Sequence, residues 1–494
     1  MRLLYLDVDA LTPSHLGCYG YHRDTSPTID RVAAEGLRCT NVYTSDAPCL
    51  PSRTALYSGR FGIHTGVVGH GGTAAQPKIE GPTRGFGDLF DAQGLGRSLQ
   101  RLGFHTAMVS PFGQRHAAWH FYAGFNEIHN TGKGGAESAE DVTPVVEKWL
   151  HDNAAGDNWY LHVNYWDVHT PYRAPLEYGE PFADEPLPAW LTEKKIREHN
   201  RKTGPHSSLE IGMYNDRENP RYPRHPGKIT DPASLRRMID GYDTAIRYVD
   251  DQIARILAIL EQNAVLEDTA VIISADHGEN MGELGIYGEH GTADQATCRI
   301  PMIVRWPGGV SAAVDEGLHY NVDLAPTLME LLGGPSQPIW DGESYAPGIL
   351  NGASRGREQV VVSQCCHVCQ RSVRFDRWLY VRTFHDGFHL FPREMLFDLT
   401  ADPHEEHDIA AENLDICRQG AGRLLDWHQE QMATVGDGVD PLWTVIQEGG
   451  PFHARHAGPN SQLPGYLERL EATGRGDGAA QLRKKYARFL PPDR

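Results

Sequence analysis

Apolar and polar positions alternate along this chain in two rhythms. A mostly apolar run over 3–11, broken by Asp7 and Asp9, predicts a buried strand whose two-residue period puts both carboxylates on one face. Ser26-Pro27 then opens a helix to about Glu35, Gly36 stops it, and 37–44 returns to strand. The exchange of periods continues with a helix over 90–102, a strand over 105–110, a helix over 137–152 and an aromatic-rich strand over 159–166. Apolar residues at helical spacing from Met238 to Leu260 predict a long packed helix over 235–262. A strand over 270–275, another over 300–305 and a helix over 323–332 follow. Then the style changes to short strands in sequence, over 359–363, 372–375, 378–384 and 394–398, before a helix near 412–432.

The first pattern predicts an α/β unit over 1–355, built on a large mixed, mostly parallel sheet flanked by helices; the second predicts a smaller α+β unit and tail over 356–494. Residues 173–231, rich in Pro, Gly and charge and without a sustained period, are expected as an insertion over the active face. In an open parallel sheet the carboxyl ends of the strands share one edge, where ligands bind. Three predicted strands end in reactive side chains: Asp7 and Asp9, Asp167 and His169, Asp276 and His277. They are expected to converge.

Composition narrows the partners. At 494 residues the chain is too long for one core, and a net charge of −19 argues against nucleic acid or an anionic membrane. The apolar start, Met1 to Leu6, is too short for a signal peptide or a membrane span, so a cytoplasmic protein is expected. The eight cysteines form no spaced disulfide framework. Cys365-Cys366-His367-Val368-Cys369 contains a C-x-x-C but no second ligand pair, and a structural or incidental role is expected for it.

The strongest chemical signal is Cys49-Leu50-Pro51-Ser52-Arg53, continued by Thr54-Ala55-Leu56-Tyr57-Ser58-Gly59-Arg60. Pro51 suits a first helical position, which sets Cys49 just outside a positive helix end and lets Arg53, one turn on, aim its donors at an oxyanion. The glycine-rich run after Arg60 brings His64 and His70 toward the same place. This C-x-P-S-R-x-x-L-x-x-G-R pattern resembles the signature of the sulfatase family, within the alkaline-phosphatase-like superfamily. The resemblance extends to Asp9, to the Asp276-His277 pair and to His169 in His-Thr-Pro-Tyr.

What the resemblance implies is specific. Cys49 would be oxidised to formylglycine by a maturation enzyme, and its hydrate would attack the sulfur of a sulfate ester carried by a sugar or small metabolite, through a formylglycine-sulfate intermediate. Asp7, Asp9, Cys49, Asp276 and His277 would hold a divalent cation, Ca2+ by family habit, with Mg2+ or Mn2+ as substitutes. Arg53 would stabilise the oxyanion, Asp276 is a candidate base, and His169 or His290 would protonate the leaving alcohol. Two departures stand out: Ala10 occupies the place of a second family aspartate, for which Asp7 is expected to compensate, and His290 occupies that of a lysine. A family Gly-Lys-Trp-His motif is replaced by Ser110-Pro111-Phe112-Gly113, leaving His70, Arg115 and His116 as candidate substrate contacts. The alternatives are a phosphonate monoester or phosphodiester hydrolase of the same superfamily, and a non-catalytic metal-binding protein with an unmodified Cys49.

Overall fold

The apolar run that opens the chain forms the middle of a sheet because both of its faces are covered. The computed structural model describes residues 1–80, 89–353 and 356–490. Its strands are β1 (Arg2–Val8), β2 (Leu37–Tyr43), β3 (Asp46–Ala47), β4 (His105–Val109), β5 (Glu127–His129), β6 (Trp159–Tyr165), β7 (Thr269–Ser274), β8 (Asn280–Met281), β9 (Tyr287–Glu289), β10 (Arg299–Arg305), β11 (Ala313–Tyr320), β12 (Gln359–Gln364), β13 (Cys369–Phe375), β14 (Trp378–His385) and β15 (Glu394–Asp398). Eight of them form one sheet in the order β11-β2-β10-β7-β1-β6-β4-β5. All neighbours are parallel except around β10, which runs against both β2 and β7. This is the mixed, mostly parallel sheet that the alternation predicts. β1, β6 and β7 lie side by side with Asp7 opposite Asn164 and Ser274, so the three strands end level on one edge.

Helices cover the faces. The longest, Pro232–Gln262, starts at a reciprocal cap: Asp231 accepts from the Ser234 N–H at 2.8 Å, Ser234 Oγ accepts from the Asp231 N–H at 3.2 Å, and Pro232 takes the first helical position. Its apolar stripe from Met238 to Leu260 is buried, each large side chain contributing about 1.5–3 kcal/mol. The helix lies across Pro27–Ala34 and Ala139–Asn153. The helix predicted over 90–102 is two, Leu89–Gln93 and Leu95–Arg101. They part at Gly94, where a Cβ would stand 2.6 Å from the Phe90 carbonyl oxygen and 3.1 Å from that of Tyr57.

A second sheet has the order β15-β14-β13-β12-β3, antiparallel except for β3, which pairs parallel with β12. Ser363 lies opposite Asp46 and Gln364 opposite Ala47, so the two residues that lead into the Cys49 segment belong to this sheet. Helix Leu414–Met432 covers β13 and β14. Tyr43, Phe61 and Tyr320 from the first unit share an apolar cluster with Val360, Val361 and Val362 of β12. The boundary expected at 355 lies outside the described residues. Three unpredicted helices follow, Pro441–Gln447, Leu463–Ala472 and Gly476–Lys485. No helix among the described residues is long and apolar enough to cross a membrane.

Candidate active site

The helix Cys49–Ser58 begins two residues earlier than the sequence suggested. Its first bond runs from the Ser52 N–H to the Pro48 carbonyl at 3.0 Å, so Cys49 is the first helical residue and Pro51 the third. A proline is tolerated there for the reason that made it attractive at the start: the first-turn N–H groups lack helical acceptors anyway. The helix stops at Gly59, in the left-handed region with φ +69°.

Arg53 points inward beneath Cys49. Its Nε donates to Asp7 Oδ2 at 2.8 Å, and Nη1 donates to Asp9 Oδ2 at 2.9 Å and to Asp276 Oδ2 at 2.6 Å. The expectation that its whole donor fork faces a substrate oxyanion is therefore corrected: only Nη2 lacks a protein partner. The guanidinium is also stacked over Phe112, 4.3 Å from the ring centre. Asp7 does not join the group nearest Cys49. It spends a carboxylate oxygen on Arg53, with His162 Nε2 3.4 Å from the same oxygen, and so stands one layer behind.

The group that does assemble is Asp9, Cys49, Asp276 and His277, all buried, with one donor atom of each within 4.8 Å of the others. Cys49 Sγ lies 3.1 Å from His277 Nε2. His277 Nδ1 lies 2.8 Å from the Gly278 carbonyl oxygen, which can only accept, so Nδ1 carries the proton and Nε2 presents a lone pair to the group. Asp9 Oδ1 is buried with no hydrogen-bond partner. Three carboxylates, Asp7, Asp9 and Asp276, thus meet one guanidinium in a buried pocket. Burial raises the Asp276 carboxyl, Arg53 opposes this, and Asp9 and Asp7 add to the rise, leaving it well above the usual range. For Asp9 burial is outweighed by the Arg53 guanidinium, and its carboxyl is held low. Excess buried negative charge, an orphaned carboxylate oxygen and an imidazole lone pair are what a divalent cation satisfies, and the residues fit one.

Above this floor opens a cavity of about 660 Å³, lined among others by Cys49, His70, Arg115, His116, His169 and His290. His169 follows β6 and keeps Nδ1 2.6 Å from the Thr170 carbonyl, turning Nε2 toward Asp9 Oδ1 at 4.0 Å. Burial holds its ring, and that of His70, neutral. His290 is stacked on His277 with ring centres 4.0 Å apart, between Glu279 (3.5 Å from Nδ1) and Glu289 (3.5 Å from Nε2). Arg115 lies over the Trp166 ring at 4.8 Å, and His116 is stacked on Phe112 with its pKa brought down to about 3 by burial and by Arg115. His70 Nε2 accepts from the Leu50 N–H at 3.5 Å.

Two expected residues stand elsewhere. Asp167 accepts from the Ala139 N–H at 3.0 Å at the start of helix Ala139–Asn153. His64 Nδ1 lies 2.7 Å from Asp341, with Nε2 2.9 Å from Thr434 Oγ1, in the seam between the two sheets. The sequence reading also missed residues. Glu279 is fully buried with neither oxygen in a hydrogen bond, His290 being 3.5 Å away, and its carboxyl is pushed up to about 7 by burial; its signal was its position directly after Asp276-His277-Gly278. Glu289, His206, His225, His367 and His453 line the cavity from four separate segments, and no local pattern joins them. Cys365 and Cys369 pack in an apolar cluster with Val68 and Leu442, while the Cys366 thiol faces His70 and His453.

A sulfatase family model matches residues 3–334. The chain is 23% identical over 480 residues to the multifunctional alkaline phosphatase superfamily protein PehA of Trinickia caryophylli, over 81% of this chain and 89% of that protein. The fold is similar to that of the phosphonate monoester hydrolase of Agrobacterium radiobacter, with a TM-score of 0.65 at 17% identity over 87% of this chain and 96% of that one. It is similar also to a protein solved in complex with its substrate D-glucosamine-2-N,6-O-disulfate, with a TM-score of 0.68 at 18% identity over 89% and 99%. The matched segment runs from β1 past β11 and carries every member of the group around Cys49; the chain belongs to the sulfatase family of sulfuric ester hydrolases.

Proposed function

We propose that this protein hydrolyses the sulfate monoester of a saccharide or small metabolite, with Cys49 matured to formylglycine and Ca2+ held by Asp9, Asp276, His277 and residue 49; Mg2+ or Mn2+ suits the same oxygen-rich set. The observation that carries this reading is Cys49 Sγ at a helix start, 3.1 Å from His277 Nε2 and grouped with Asp9 and Asp276 on the cavity floor. When present, the cation would draw charge from a sulfuryl oxygen and the formylglycine hydrate would supply the attacking hydroxyl. The thiol itself is a poor substitute, since burial, Asp9 and Asp276 keep the proton on sulfur.

The chain's own groups divide the remaining tasks. Helix Cys49–Ser58 starts at residue 49, so the positive end of its dipole lies at the centre where negative charge grows. Arg53 holds Asp9 and Asp276 turned toward residue 49 and keeps Nη2 in reserve. His290, between Glu279 and Glu289, is the ring suited to pass a proton to the departing alcohol, and His169 flanks it with ring centres 5.0 Å apart. A cavity of about 660 Å³ accommodates a sugar, and the disulfated glucosamine bound by a protein of this fold supports that class.

A second reading, hydrolysis of phosphonate monoesters or phosphodiesters, is favoured by the likeness to the Agrobacterium radiobacter enzyme. Both substrates carry one negative charge, like a sulfate ester, whereas a phosphate monoester carries about −1.5 to −2. The neutral rings of His70, His116 and His169 supply little fixed charge for a dianion. The test is anion release by the full chain, produced with a formylglycine-generating enzyme, from sulfate esters, sulfamates, phosphodiesters and phosphate monoesters. Sulfate release is expected, phosphate monoesters should be poor substrates, and Cys49→Ser should lose at least about a thousandfold in turnover while remaining folded. Efficient diester cleavage without sulfate release would select the second reading; a Cys49 peptide bearing only the thiol in protein from its natural host would leave a binding protein.

A further inference from the structure

The cavity has a second group of donors that the reaction at Cys49 does not use. His206, from the 173–231 stretch, Glu289, at the end of β9, and His367, in the loop between β12 and β13, are all buried, with one donor atom of each within 4.8 Å of the others. His206 Nε2 lies 2.6 Å from Glu289 Oε2, and His367 Nε2 lies 3.4 Å from Glu289 Oε1. Both rings aim the same nitrogen at one carboxylate.

The proton positions make this arrangement unusual. His206 Nδ1 lies 3.1 Å from the Ile211 carbonyl oxygen, which can only accept, so Nδ1 carries a proton and Nε2 is the nitrogen left beside the Glu289 carboxylate. Despite the 2.6 Å separation, Nε2 makes no hydrogen bond; its direction misses the oxygen. His206 is only 8% exposed, and its Nε2 is itself buried. An imidazole that gives Nδ1–H to a backbone carbonyl and presents Nε2 beside a carboxylate is the usual arrangement of a metal-ligating histidine, and His277 repeats it on the cavity floor.

The surroundings hold the three residues together. Gly291 lets the chain after β9 pass close to His367, since a Cβ there would stand 3.0 Å from His367 Cβ. Gln364 Nε2 donates to the His290 carbonyl at 2.9 Å, tying the two segments, and the His367 ring is stacked on His453 with centres 4.5 Å apart. Glu289 Oε1 accepts from the His290 N–H at 2.9 Å, which fixes one of its oxygens.

We propose that His206, Glu289 and His367 bind a second divalent cation, of the Zn2+ type, in the wall of the substrate cavity. Two imidazole nitrogens and one carboxylate oxygen suit that borderline ion better than Ca2+, and three protein ligands leave a coordination position open to a water or a substrate oxygen. Bonds of about 2.0–2.2 Å at tetrahedral angles keep donor atoms roughly 3.3 Å apart. The His367–Glu289 pair already meets that spacing, and rotation of the Glu289 side chain brings His206 to it.

The test uses the full chain kept in excess Ca2+, which occupies the floor site, and titrated with Zn2+ alone. One Zn2+ should bind per chain, and anomalous diffraction at the zinc edge should give a peak about 2.0–2.2 Å from His206 Nε2, His367 Nε2 and a Glu289 oxygen. Glu289→Gln, of nearly unchanged shape, and His206→Ala should each weaken Zn2+ binding at least tenfold. A wild-type crystal with no zinc at this position, or with zinc only among Asp9, Asp276 and His277 or among His70, Cys366 and His453, overturns the proposal and leaves a buried His206–Glu289 ion pair. The crystallographic arm does not depend on how any variant folds.

Discussion

Asp7 and Asp9 occupy one face of β1 and its extension, as a two-residue period requires, yet they meet different partners. Asp9 keeps one oxygen free for the group around Cys49, whereas Asp7 is paired with Arg53 and His162. The two substitutions should therefore separate. Asp9→Asn should strip the floor cation, while Asp7→Asn should keep one bound ion per chain and lower kcat by roughly 10–100-fold through a less firmly held Arg53. Metal content and kcat measured side by side decide this, and loss of the ion from Asp7→Asn would put Asp7 among the ligands. Alanine at position 10 needs no replacement ligand in this arrangement, because its N–H donates to Asp276 Oδ1 at 3.2 Å and so helps to hold a carboxylate that is already there.

The helix Cys49–Ser58 is held in place at both ends. Gly59 combines a φ of +69° with a Trp340 ring carbon 2.5 Å from where a Cβ would stand. Gly59→Ala should cost about 2–4 kcal/mol, adding left-handed strain to overpacking, and should lower the urea midpoint and the turnover together. A variant with an unchanged midpoint would mean the Trp340 loop yields freely. Elements of this kind show what the sequence could and could not reveal. β1, β6 and β7 were legible because central parallel strands are apolar on both faces, and their shared edge brought Asp9, His169 and Asp276 together without any knowledge of contacts. β11 was not, because Asp315, Glu316 and Gly317 interrupt it and Val314 is exposed on an edge strand. The onset of the Cys49 helix was misplaced because the rule for proline holds equally at its third position. The histidine wall was invisible for a different reason: His206, His367 and His453 are separated by long stretches of chain, and only tertiary packing makes them neighbours.

On the scale of the whole molecule, the last helices dock on the second sheet through Asp386. Its buried carboxylate accepts from Lys485 Nζ at 2.7 Å, from the Tyr486 hydroxyl and from the Phe388 N–H at 3.1 Å. Burial works to raise this carboxyl, but Lys485 and Tyr486 outweigh it and hold it below its ordinary value. A depressed carboxyl stabilises the fold at pH values above its unfolded value of about 3.9, and that contribution is lost as pH falls through the folded value. Asp386→Asn should thus be less stable than wild type at pH 7, with the gap between their urea midpoints closing below about pH 4; a gap independent of pH would remove Asp386 from the docking. The pairing of β3 with β12 carries a further consequence, in time rather than in space. Asp46 and Ala47 cannot take their place in the second sheet until Ser363 and Gln364 exist, some three hundred residues later in synthesis. At ~5–20 residues per second that delay is about 15–60 s. During it the Cys49 thiol, only 1% exposed in the folded chain, is still outside its finished surroundings, and the maturation enzyme that the proposed function requires would have that interval on the ribosome in which to act.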